Sequence, residues 1–201
     1  MEIAIVLNSP TPIKNVEEKA VIYADRGYVN KKYLKDKITL GVVGDFDTLG
    51  APPEGENLIL LDKEKNFTDG ERAVLFAKES GADKVSIYGA DGGKIDHVLG
   101  NIFLLKSAAK LNLKAEIRGE NYKMTLIGAG ENIFVSQKGA TVSVIPFGGS
   151  TEFVKSEGLY YPLDNLTIAP DCTRGISNVA TNDKFKIKIK RGEALLIIYN
   201  K

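Results

Sequence analysis

A single cysteine, Cys172, and a single histidine, His97, among 201 residues leave little room for several classes of chemistry. One cysteine cannot close an internal disulfide, and the pair supports neither a zinc cluster nor a Cys/His dyad. That usage is consistent with a reducing cytosol. Charge of one sign is also lacking: 27 basic residues stand against 26 acidic ones, so nothing points to nucleic acid or a membrane surface as a partner. No apolar run approaches the length of a bilayer span, and Met1 leads into an apolar stretch without a basic leader region. The expectation is a cytoplasmic protein with no sign of export.

What is present is an ordinary globular composition, 43% hydrophobic and 26% charged, in a chain long enough for one large domain or two small ones. Short continuous apolar runs at 3–7, 21–24 and 38–43 suit strands buried on both faces, as in a parallel sheet. Residues 28–37 read as a short helix between the last two. A further strand at 58–61 precedes Thr68-Asp69-Gly70-Glu71, a capping-box pattern that opens a helix over 68–80, stopped by Gly81. A strand at 84–88 is followed by the glycine-rich loop 89–93. The clearest helix comes next, with Ile95, Val98, Leu99, Ile102, Phe103 and Leu105 at three- and four-residue spacing, and a strand at 115–118 closes this half.

The period changes near residue 120. Strand candidates at 124–127, 133–135, 141–146, 151–154, 166–168 and 185–199 follow one another with Gly, Pro and Asn between them, and no helix pattern intervenes. The expected architecture is α/β: a mostly parallel α/β sheet domain over 1–120 and an antiparallel β-sandwich-like domain over 121–201. The alternating lysines of 184–190 read as a solvated face or an edge protected against aggregation.

Chemistry concentrates in loops that follow successive strands of the first half. Asp45 and Asp47 sit two residues apart at the end of 38–43, where a strand would point both carboxylates the same way. Two such charges suit a hard divalent cation, and equally a solvated turn. Asp69 falls in the first turn of a helix, where the dipole favours it. The loop Asp91-Gly92-Gly93-Lys94 with Asp96 and His97 offers glycine amides and a cation for phosphate at a helix start. Asp25-Arg26-Gly27 follows another strand candidate. Each has a plain structural reading: Asp69 as a first-turn residue, Gly92-Gly93 as a turn, His97 as a structural imidazole, Asn101 as a surface residue. Their shared position at strand ends favours a site, because open parallel sheets bind ligands beyond the carboxyl ends of their strands.

Three segments taken together, Gly44-Asp45-Phe46-Asp47-Thr48, Glu64-Lys65-Asn66-Phe67-Thr68-Asp69 and the run from Gly89 to Ile102, resemble the motifs of thiamine pyrophosphokinases. Ser156-Glu157-Gly158-Leu159-Tyr160-Tyr161-Pro162-Leu163 and Gly175-Ile176-Ser177-Asn178 resemble the family's substrate-side segments. The resemblance implies a catalytic, ATP-binding α/β domain, a thiamine-binding and dimerising β domain, and a homodimer. It also implies transfer of a pyrophosphoryl group from ATP to the hydroxyl of thiamine, giving thiamine diphosphate and AMP. Carried over by position, Asp45, Asp47 and Asp69 would hold Mg2+ and the triphosphate. Asp25, Asp91, Gly93, Lys94, Asp96 and His97 would line the nucleotide and phosphate path, and Ser177 and Asn178 would meet thiamine. Asp69 or Asp96 would accept the hydroxyl proton.

The chain departs from the family pattern at Arg26, where a small residue is common, and at Thr48, Asn66 and Lys94, where Ser, an acid and Arg are frequent. It has no tryptophan, so Tyr, Phe or another side chain would stack on the thiamine ring. Two other readings share these loops: a pyrophosphokinase for another hydroxymethyl heterocycle such as a pterin, and a non-catalytic nucleotide or thiamine-phosphate sensor.

Overall fold

The apolar runs of the first half become strands because they can be covered on both faces, which is what β-branched residues on a pleated surface favour. In the computed structural model, which describes residues 1–47, 49–61 and 67–200, β1 (Glu2–Val6), β2 (Ala20–Ala24) and β3 (Ile38–Gly44) run parallel to one another. They are followed by β4 (Leu58–Leu60), helix α1 (Asp69–Glu79), β5 (Lys84–Tyr88), helix α2 (Ile95–Lys110) and β6 (Lys114–Arg118). The six strands lie in the order β6-β5-β1-β2-β3-β4 and every pairing between them is parallel. The chain proceeds from β1 to β4 in one direction, then crosses to place β5 on the other side of β1. Loops leaving β1 and β5 therefore diverge, and a crevice opens at the carboxyl ends of those strands.

All five residues of β2 are buried, and Tyr23 packs in one core cluster with Ala4, Val6, Val42, Phe46 and Tyr88. Each large side chain so placed stabilises the fold by about 1.5–3 kcal/mol. Burial and the nearby Glu56 carboxylate push the Tyr23 phenol up to about 12, so it stays neutral across the physiological range. The capping box at the start of α1 is complete: Glu71 N–H donates to Thr68 Oγ1 at 3.2 Å, and Thr68 N–H donates to Glu71 Oε2 at 3.0 Å.

Two local expectations change. The helix expected over 28–37 is a 3-10 segment, Asp25–Tyr33, that starts three residues earlier. It starts there because Gly27 lies against β1, where a Cβ would stand 2.1 Å from the carbonyl oxygen of Val6. Asn30, buried, then pins the segment by accepting from Ile13 N–H at 2.9 Å and donating to the Gly27 carbonyl at 3.0 Å. The apolar pattern of α2 does not form a single buried stripe. Leu104, Leu105 and Ala108 face the interior, whereas Ile95, Leu99 and Phe103 are 73%, 52% and 56% exposed.

The chain divides into two compact units, Met1–Gly119 and Glu120–Lys201. In the second, β7 (Tyr122–Ile127), β8 (Gly130–Val135), β9 (Thr141–Pro146), β10 (Thr151–Glu157), β11 (Leu166–Ile168), β12 (Asn178–Val179), β13 (Lys184–Arg191) and β14 (Ala194–Tyr199) pair only antiparallel. One array runs β12-β9-β14-β7 and another β11-β10-β13-β8. Val142 and Leu196 from the first share a core with Phe153, Phe185 and Ile187 from the second, which makes the unit a sandwich. The stretch expected as one strand over 185–199 is two strands in different arrays. Strand β13 lies between β10 and β8, so its lysines form a solvated face and not a protected edge. Among the described residues no helix is long and apolar enough to cross a membrane.

Candidate active site

Strand β3 ends at Gly44, one residue before the carboxylate pair. A Cβ on Gly44 would stand 3.3 Å from Asp25 Cα, so the ends of β2 and β3 approach closely there. Asp45 and Asp47 then leave the sheet in a turn, with Asp47 N–H donating to Asp45 Oδ1 at 3.3 Å. The carboxylates therefore come together through a turn and not through the pleat of a strand. Between them Phe46 adopts φ 60, a left-handed conformation that costs about 1–2 kcal/mol for a residue with a Cβ. Burial of its ring offsets that cost, because Phe46 is anchored in the cluster of Tyr23, Val42 and Tyr88. Phe46 is the structural pin that sequence reasoning missed, and an apolar side chain flanked by two aspartates was the signal.

Asp25 follows β2, also left-handed at φ 45, and is buried. Oxygens of Asp25, Asp45 and Asp47 lie within 4.8 Å of one another, in order buried, half-buried and exposed. Three converging carboxylate oxygens fit a hard divalent cation such as Mg2+, whose ligands are oxygens. Asp69, in the first turn of α1, lines the same crevice of about 780 Å3 without belonging to that triad, and Asp96 and His97 line it too. Thr48 and Glu64-Lys65-Asn66 lie outside the described residues.

A second crevice, of about 560 Å3, opens between the loops after β1 and β5. Asp91, Gly93 and Lys94 line it, as do Arg26 and Lys32 from the 3-10 segment. Lys94 is the N-cap of α2 and makes no side-chain capping bond, and the Asp96 carboxylate accepts from His97 N–H at 3.0 Å. Asn101 is not a bare surface residue: half-buried, it donates to the Ala90 carbonyl at 3.0 Å and ties the loop to its helix. Asn8, His97 and Asn101 line both crevices.

These folds and loops have counterparts. Residues 14–117 match the family description "Thiamin pyrophosphokinase, catalytic domain", and residues 131–196 match "Thiamin pyrophosphokinase, vitamin B1 binding domain". The chain belongs to the thiamin pyrophosphokinase family. The thiamine pyrophosphokinase of Bacillus subtilis is 29% identical over 167 residues, 80% of this chain and 78% of that protein. A crystal structure of a Bacillus subtilis thiamine pyrophosphokinase is similar with a TM-score of 0.85 at 26% identity, covering all of both chains. That of the Geobacillus thermodenitrificans thiamin pyrophosphokinase gives 0.82 at 25%, covering 100% of this chain and 98% of the other. Thiamin pyrophosphokinases are ATP-dependent pyrophosphotransferases, and the α/β and antiparallel β architecture is theirs.

In the part of the chain matching the family's vitamin B1 binding domain, Ser177 is exposed at φ 57 and its N–H donates to Ser143 Oγ at 3.0 Å. Asn178 is buried, and its amide turns inward to the backbone of Tyr161. What stands outward beside that hydrogen-bonded turn is the pair Tyr160 and Tyr161, exposed, with ring centroids 4.9 Å apart and planes at 88°.

Proposed function

We propose that the first unit binds ATP with Mg2+ and transfers its terminal pyrophosphoryl group to the hydroxyl of thiamine, giving thiamine diphosphate and AMP. The observation that carries this reading is the convergence of Asp25, Asp45 and Asp47 at the carboxyl ends of β2 and β3, in a chain of this family. Asp25, Asp45 and Asp47 would hold the ion, with Asp69 in reach of the same crevice. Bound there, Mg2+ would neutralise charge on the phosphates. Asp91, Gly93, Lys94 and His97 line the path of the nucleotide. Of the two carboxylates assigned to take the hydroxyl proton, Asp69 is held at a helix start and Asp96 is exposed beside His97. Attack at the β-phosphorus asks for alignment and charge neutralisation more than for a covalent nucleophile.

The second unit, on this reading, meets thiamine. Ser177 is accessible to it, and Asn178 serves by fixing the Tyr160-Tyr161 turn, whose rings offer the flat surface that a chain without tryptophan needs. A homodimer is supported by Ile95, Leu99 and Phe103, an apolar row at four-residue spacing left open to solvent. The cytoplasm, where ATP is plentiful, is the matching compartment. The deciding experiment is product analysis with ATP, Mg2+ and thiamine: AMP is expected, and ADP in its place would overturn the proposal. A pterin alcohol as the better acceptor would move the assignment to the second heterocycle class.

A further inference from the structure

The two crevices of the first unit carry opposite charge although they share Asn8, His97 and Asn101. One is lined by Asp25, Asp45, Asp47 and Asp69. The other is lined by Arg26, Lys32 and Lys94, with Asp91 as the carboxylate among its described lining residues. The boundary falls between consecutive residues: Asp25 belongs to the acidic crevice and Arg26 to the basic one. Left-handed backbone at Asp25 (φ 45) turns the chain at that point. The turn is held firmly, with Gly27 seated on the backbone of Val6 and Asn30 bonded both to Gly27 and to Ile13. Arg26 is exposed and forms no ion pair among the described residues, so its guanidinium is available.

Resting on the proposed function, we infer that Arg26 binds the α-phosphate of the nucleotide and receives the charge of the departing AMP. In the reaction the thiamine oxygen forms a bond to the β-phosphorus, the bond from that phosphorus to the α,β-bridging oxygen breaks, and its electron pair stays on AMP. The hydroxyl proton passes to a carboxylate. Carboxylates already committed to a metal cannot stabilise that new negative charge, whereas a guanidinium one residue away can, with bidentate geometry. The adjacency of Asp25 and Arg26 in the chain matches the adjacency of β- and α-phosphates across one bridging oxygen. Val29, Tyr33 and Pro10 in the same crevice supply flat and apolar surface for the nucleoside beyond.

The test uses the full chain and three variants of one side chain's charge: wild type, Arg26→Lys and Arg26→Met, titrated calorimetrically with AMP and with adenosine, alongside steady-state kinetics. Loss of one charge-assisted contact predicts roughly a 10- to 100-fold weaker affinity for AMP in Arg26→Met. Arg26→Lys should recover part of it, and adenosine affinity should be unchanged. The KM for thiamine should stay at the wild-type value while kcat falls. Equal AMP affinity in wild type and Arg26→Met, or parallel losses for AMP and adenosine, would overturn the inference and leave the family's reaction untouched. Wild-type protein that releases ADP would instead overturn the proposed function, and this inference with it.

Discussion

The side-chain amide of Asn178 is spent on the backbone of Tyr161: Oδ1 accepts from Tyr161 N–H at 2.9 Å, and Nδ2 donates to the Tyr161 carbonyl at 2.7 Å. The same Oδ1 also accepts from Val179 N–H at 2.8 Å. A buried amide used in this way acts through the turn it holds. Asn178→Ala should therefore raise the KM for thiamine about tenfold or more and leave the KM for ATP near the wild-type value. It should also cost about 1–3 kcal/mol of stability, since backbone groups lose their partners. Equal effects on both substrates would show that the turn does not serve thiamine alone.

At the acidic turn the expected outcomes are sharper. Asp47→Ala should lower the rate by several powers of ten, whereas Lys188→Ala, on the solvated face of β13, should change nothing measurable. Because a rate alone does not report on a metal, Mg2+ titration followed by calorimetry should show weaker binding in Asp25→Asn and Asp45→Asn as well. Normal activity in Asp47→Ala would remove the metal-site argument.

How much of this was legible in the sequence differs between residues. Strands β5, β9 and β11 have the boundaries that their composition and turn residues imply, and the Thr68–Glu71 capping box is a purely local device. The proximity of Asp45 and Asp47 was legible, but its cause was not: a pleat was expected, and the structure uses a turn pinned by Phe46. Asp25 as a third member of the triad depends on the lateral order of β2 and β3, which no local pattern encodes. The hydrogen bonds between Asn178 and Tyr161 were hidden too, since the two residues lie 17 apart and only the fold brings them together.

The open face of α2 makes a separate prediction. Ile95, Leu99 and Phe103 are each more than half exposed and recur at four-residue spacing on one face of the helix. Leu99→Glu should convert a dimer to a monomer in light scattering at micromolar concentration, with the circular dichroism spectrum unchanged, because Leu99 is half exposed and the helix is held by Leu104, Leu105 and Ala108. A wild-type protein that is monomeric in the same measurement would exclude this face as a dimer contact.

Acid stability should depend on a carboxylate of β6 that lines neither crevice. Burial alone would raise the Glu116 carboxyl, but the Arg118 guanidinium, with Nε at 2.8 Å and Nη2 at 2.5 Å, and the Lys84 ammonium at 3.2 Å outweigh it. The group is held below its ordinary value of 4.5. A carboxyl whose folded value is depressed binds its proton more readily in the unfolded chain. Its contribution is therefore complete above about pH 4.5 and is lost as pH falls through the folded value. Urea unfolding of wild type should show stability declining over that interval. Glu116→Gln should be less stable at pH 7 by about 1–3 kcal/mol and should lose less on acidification, so the two curves converge at low pH. Parallel curves would mean that other carboxylates govern the acid response and that the Glu116–Arg118 pair contributes nothing to it.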